Sequence, residues 1–154
     1  MIRKLALALA TATLAGCTAG VTTDVHTSTQ TAYSKDYPAK VGLIQSLNAQ
    51  AIHSNKAGYA VKTRYTGFGW MFIEEAWSFG SRFPFESTGR GTLTCSQIGC
   101  SNFENGVFLL TEDQFQIAAE KGLEFKLVGR NGSIVGKLPA EAFAEVMKLR
   151  YKTG

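Results

Sequence analysis

The stretch 123–138 reads Leu-Glu-Phe-Lys-Leu-Val-Gly-Arg-Asn-Gly-Ser-Ile-Val-Gly-Lys-Leu, and it decides the fold class. Apolar and polar residues alternate on both sides of Asn131-Gly132, the dipeptide whose tolerance of positive φ makes it the strongest short hairpin signal. A two-residue turn there, between strands over 123–130 and 133–138, puts Phe125 and Leu127 on one face with Ile134, Gly136 and Leu138. One apolar face and one polar face mark an antiparallel sheet resting on a core.

Both flanks of this hairpin read as helices. Upstream, Thr111-Glu112-Asp113-Gln114 has the form of a capping box, in which the threonine hydroxyl caps a backbone donor and the glutamine reaches back. The helix predicted from Glu112 to Lys121 carries Phe115, Ala118 and Ala119 on one face, acidic residues in its first turn and Lys121 in its last. Gly122 suits its left-handed stop. Downstream, Pro139 opens a second helix at no hydrogen-bonding cost, with Phe143, Val146, Met147 and Arg150 along one side.

Working towards the amino terminus, 106–110 reads as an apolar strand, and 59–65 alternates Tyr59, Val61, Thr63 and Tyr65 against Ala60, Lys62 and Arg64. The densest aromatic passage, 68–79, is expected to form a central strand covered on both faces, since aromatics mostly supply buried area. The segment 40–54 fits helical spacing through Val41, Ile44, Leu47, Ala51 and Ile52, and strand spacing through Val41, Leu43, Gln45 and Leu47; a short helix is the preferred reading, followed by a turn at 55–58. Together these elements predict a single small α+β domain: a mainly antiparallel sheet with two helices in the C-terminal half packed on one face.

Glu74-Glu75 invites a paired-carboxylate reading. Consecutive strand residues point to opposite faces, however, so the two cannot flank one scissile bond. One of them is expected to be buried against Arg64, Arg82 or Arg90, because a buried charge needs a partner.

The first residues carry a different message. Arg3 and Lys4 precede an apolar run over 5–15 that ends in Leu14-Ala15-Gly16-Cys17. The run is too short to span a bilayer as a helix, which takes about twenty residues, and it suits the core of an export signal. This segment resembles the signal peptide and lipobox of bacterial lipoproteins. The resemblance implies that residues 1–16 are cleaved and that Cys17 becomes the lipidated first residue of the mature chain. It also implies attachment to the membrane through that lipid. Thr18, where aspartate would commonly signal inner-membrane retention, points to the outer membrane of the cell envelope, facing the periplasm. Two or more acyl chains, at roughly 0.8 kcal/mol per buried methylene, anchor stably without a transmembrane helix.

Residues 17–34, rich in threonine and serine, are predicted to be a flexible tether with a reach of about 20–25 Å, leaving 35–154 as the globular domain. Losing residues 1–16 removes Arg3 and Lys4 from the 16 basic residues, which leaves 14 against 12 acidic ones. So small and dispersed an excess disfavours nucleic acid as a partner. With Cys17 assigned to lipid, Cys95 and Cys100 are an even pair in the oxidising envelope that the resemblance implies. They are expected to form a disulfide across a hairpin tip.

No metal-ligand cluster, phosphate-cradling loop or cofactor motif stands out, and no catalytic residue is nominated. Three functions then compete. The favoured one is a non-catalytic envelope module that binds a protein or organises a complex. The alternative is a cell-wall glycan-binding module that stacks sugars on exposed aromatics, with Trp70, Trp77, Tyr65 and Phe68 as the leading candidates. The third is a hydrolase with His53 as its base, which requires that imidazole to reach a serine or a carboxylate.

Overall fold

A computed structural model describes residues 18–150. In chain order the elements are β1 (Gly20–Asp24), β2 (Thr29–Tyr33), β3 (Tyr37–Lys40), β4 (Gln45–Ser54), β5 (Gly58–Phe68), β6 (Ile73–Ser78), β7 (Ser81–Phe83), β8 (Phe85–Ser96), β9 (Gly99–Leu110), α1 (Glu112–Lys121), β10 (Leu123–Gly129), β11 (Gly132–Leu138) and α2 (Ala140–Arg150). The predicted α+β class holds. A larger sheet runs β1-β2-β4-β5-β9-β8 with β3 also paired to β4, and a smaller one runs β11-β10-β6-β7. Every pairing is antiparallel.

The core fills the space between one face of the large sheet and the layer that covers it. Leu47, Val61 and Phe108 from the large sheet are buried with Phe125, Leu127 and Leu138 from the small one. Phe108 sits 5.1 Å from Phe125, ring centre to ring centre, at the heart of the contact. The helices complete the cover on the same side. Phe115 of α1 meets Phe143 of α2 edge-on at 5.0 Å, and Tyr59 of β5 packs on Phe115 at 4.8 Å. The capping box forms as expected, with Gln114 N donating to Thr111 Oγ1 and Thr111 N donating to Gln114 Oε1. Gly122 ends α1 at φ 75°, its amide donating to the Ala118 carbonyl at 2.8 Å.

Four local expectations are corrected. The threonine-rich segment read as a tether is folded from Gly20 onwards: β1 and β2 form a hairpin, and Tyr33 pairs with Ile52 to attach it to β4. Its threonines are β-branched and suit a strand once a neighbouring edge supplies hydrogen bonds, and Ala32 and Ser34 are buried there. The segment 40–54 holds no helix. Leu47, Ala49 and Ala51 all point into the core, a period of two, while Val41, Leu43 and Ile44 are exposed in the loop before β4.

The aromatic passage 68–79 is not one strand. Phe68 ends β5, residues 69–72 form a loop, and only 73–78 are extended as β6. The hairpin register also moves: Gly129 pairs with Gly132, so the turn residues are Arg130 and Asn131. The apolar face is unchanged, because the slip is by one residue on each strand and the alternation is preserved. A tertiary contact selects this register. The amides of Arg130 and Asn131 donate to the carbonyls of Phe72 and Met71, and Asn131 Nδ2 donates to the Trp70 carbonyl at 2.9 Å. Gly129 is required beneath them, since a Cβ there would collide with the Met71 carbonyl oxygen.

The expected disulfide is present. Cys95 and Cys100 face each other across the β8–β9 pairing and are bonded, with Cα atoms 4.0 Å apart. The signal-peptide and lipobox readings fall on residues 1–17, outside the described residues.

Candidate binding surface

The β6–β7 connection is a two-residue turn between Ser78 and Ser81, and both turn residues, Phe79 and Gly80, have positive φ, at 49° and 78°. Glycine adopts this geometry freely. A phenylalanine does so against steric resistance. The Phe79 side chain gains no burial in return, since it is 88 % exposed.

Two apolar grooves meet at this ring. One, of about 460 Å³, crosses the outer face of the small sheet and is lined by Trp77, Phe79, Val128 and Val135. The other, of about 670 Å³, runs between α1 and β3 and is lined by Tyr37, Pro38, Ile117 and Leu123. Phe79 and Glu124 belong to both, so the ring forms a ridge between the two depressions. Strand alternation creates the first groove. Leu123, Phe125 and Leu127 face the core, which turns Lys126 and Val128 outwards beside Trp77.

The indole of Trp77 is held in place, with Nε1 donating to Glu75 Oε2 at 2.7 Å and Arg82 Nη2 lying 3.2 Å from Glu75 Oε1. Lys121 and Lys126 contribute positive charge to the two rims, while Lys137 lies 3.0 Å from Glu124.

The four aromatics nominated from sequence do not make one surface. Trp77 lines the first groove. Tyr65 is buried at 4 % exposure, and burial, aided by the Glu104 charge, pushes its phenol pKa up. Phe68 is exposed at the far end of β5. Trp70 stacks on Phe72 at 6.0 Å, with Arg90 and Arg130 over the Phe72 ring.

Glu74 and Glu75 serve separate cations, Arg130 and Arg82, and neither is buried. The buried carboxylate is Glu104, at 3 % exposure. It accepts the backbone amides of Met71 and Phe72 on Oε1 and of Ile73 on Oε2, at 2.6, 2.9 and 2.9 Å. The loop that presents Trp70 and Phe72 is thus gripped by Glu104 on one side and by the β10–β11 turn on the other.

Two parts of this arrangement escaped the sequence reading. Glu104 lies in phase with Phe108 and Leu110 on the inward face of β9, and that phase was its available signal. Phe79-Gly80 between Ser78 and Ser81 was the signal for the turn.

His53 lies 4.5 Å from the Tyr59 ring. Burial, together with nearby Arg150, lowers its pKa against an opposing pull from Glu112. Among the described residues no serine or carboxylate hydrogen-bonds to either imidazole ring, no group of three or more His, Cys, Asp or Glu is placed to hold a metal ion, and no helix is long and apolar enough to cross a membrane. The fold therefore defines a two-sheet α+β domain with an aromatic ridge as its candidate binding feature. No family model, curated protein or solved structure matches the chain.

Proposed function

We propose that this is a lipid-anchored lipoprotein of the bacterial envelope, a non-catalytic module that docks a partner protein on the Phe79 ridge. One observation carries the reading: a fully presented aromatic ring, held in an unfavourable backbone conformation, between two apolar grooves. Strained residues persist where the surrounding structure over-determines them, and such positions cluster at functional surfaces. A ridge between depressions also suits the way protein interfaces concentrate their energy in a few aromatic anchors. The fitting partner offers apolar side chains to both grooves and acidic groups to Lys121 and Lys126. Cross-linking from intact envelopes tests this. The native chain and Cys17→Ala should recover the same stoichiometric partner, and Phe79→Ala should lose it; equal recovery with Phe79→Ala removes the ridge from the proposal.

A second reading is a glycan-binding module, favoured by the Trp70–Phe72 stack, whose planes lie within 26° of parallel beside two arginines. Retention of the native chain on purified cell-wall glycan, lost in Trp70→Ala, would support it over the first.

A further inference from the structure

One end of the large sheet has an unusual surface. The loop before β4 exposes Val41, Leu43 and Ile44 at 77 %, 103 % and 69 %, and Ile98 at the β8–β9 tip is 86 % exposed. Phe68, half exposed, lies between them. Its amide donates to the Ile44 carbonyl at 3.3 Å, and a Cβ on Gly99 would stand 3.9 Å from its ring. These side chains therefore belong to one end of the molecule. Single exposed apolar residues need no explanation, but several at one end of a domain do.

The segments that build this end carry no charge of their own, although Arg90 and Arg130 lie over the Phe72 ring. Segments 41–46, 66–73 and 91–103 contain no Asp, Glu, Lys or Arg. The charged residues that bound them are Lys40, Arg64 and Arg90, the buried Glu104, and Glu74, which is paired with Arg130. Apolar tips on an uncharged collar, with cations behind them, match the layering of an anionic bilayer surface: hydrocarbon, glycerol and ester, then phosphate. A water-filled protein interface does not demand an uncharged collar over three separate loops.

Chain direction gives a second, independent argument. β1 runs parallel to β4, since both are antiparallel to β2. Traced backwards from Gly20, the chain therefore heads towards the Gln45 end of β4, where the apolar tips lie. We infer that this end of the domain, with Leu43, Ile44, Phe68 and Ile98 at its tips, rests in the surface of the lipid bilayer that anchors Cys17.

The magnitudes set the pose. Gly20 and Tyr33 are level with Ile52, seven residues from Gln45, which is about 23 Å along the strand. Three extended residues from Gly20 back to Cys17 cover at most about 10 Å. Lipid and tips reach one membrane plane only if the sheet is inclined, with its β1 edge lowered towards the bilayer. The Phe79 ridge lies on the smaller sheet and remains open to a partner in this pose.

This inference rests on the lipid-anchor reading, and its test separates the two. The chain is extracted from membranes of expressing cells into phosphatidylethanolamine/phosphatidylglycerol vesicles with brominated acyl chains, and tryptophan emission is compared with the native chain. Leu43→Trp and Thr27→Trp alter exposed loop positions at opposite ends of the large sheet, so neither disturbs the core. The emission added by Leu43→Trp should fall by about half, as for an indole roughly 5–10 Å into the boundary, and that added by Thr27→Trp should be unquenched. Equal quenching at both positions, or none at either, overturns the orientation and leaves the anchor standing. A chain missing from the membrane fraction overturns both.

Discussion

Glu104 holds Phe72 by its backbone: Oε1 accepts the Phe72 amide at 2.9 Å, and Phe72 stands at φ 53°. The same carboxylate takes the amides on either side, so one buried side chain determines the path of the loop between β5 and β6. Removing the acceptor strands three donors. Glu104→Ala should therefore cost about 3–5 kcal/mol in urea denaturation, and Glu104→Gln, which keeps one carbonyl oxygen, about half as much.

Gly129 meets the same loop from the opposite side. Gly129→Ala places a methyl group against the Met71 and Phe72 carbonyls, which are backbone atoms and cannot turn away. A loss of roughly 1–3 kcal/mol follows, with faster hydrogen exchange at the Arg130 and Asn131 amides as its local signature.

Phe79 should separate stability from binding. Phe79→Gly removes an exposed ring from a left-handed position and relieves roughly 1 kcal/mol of backbone strain, so the melting temperature should hold or rise while partner recovery disappears. A falling melting temperature would place the ring in the stability of the domain instead.

The Cys95–Cys100 bond closes a short loop at an exposed tip. Replacing both cysteines with serine should cost about 2 kcal/mol by the chain-entropy estimate and leave the far-ultraviolet circular dichroism unchanged.

Two groups give the stability a pH dependence with opposite edges. His53 has a lowered pKa in the fold, so the unfolded chain binds its proton more readily, and stability should drop as pH falls below about 6.5. Burial and a hydrogen bond to Glu145 push the Tyr37 phenol up to about 12, so its contribution should be lost as pH rises above 10. His53→Gln should flatten the acid edge and Tyr37→Phe the alkaline one, read as melting temperature against pH.

What could be read from the chain was local. The helix caps at Thr111 and Gly122, the alternation through Phe125, Leu127 and Ile134, and the facing cysteines all depend on residues a few positions apart, and each stands as expected. The misread segments are those whose neighbours decide. Residues 20–33 carry little apolar surface of their own and become strands because β4 offers a hydrogen-bonding edge. The loop ahead of β6 follows Glu104, more than thirty residues away in sequence.

The candidate surface was legible only in part. Of the aromatics proposed as sugar-stacking platforms, Trp77 lines a groove whereas Tyr65 lies in the core, because aromatic rings serve burial and recognition equally well. Pattern alone determined that this is a small α+β domain with a stapled hairpin and two helices, the first capped at both ends. Only the tertiary structure decided which aromatic rings face water, where the hairpin turns, and that the threonine-rich start is sheet. The reason is physical: strand pairing and burial are set by partners distant in sequence, whereas caps and alternation are set within a few residues.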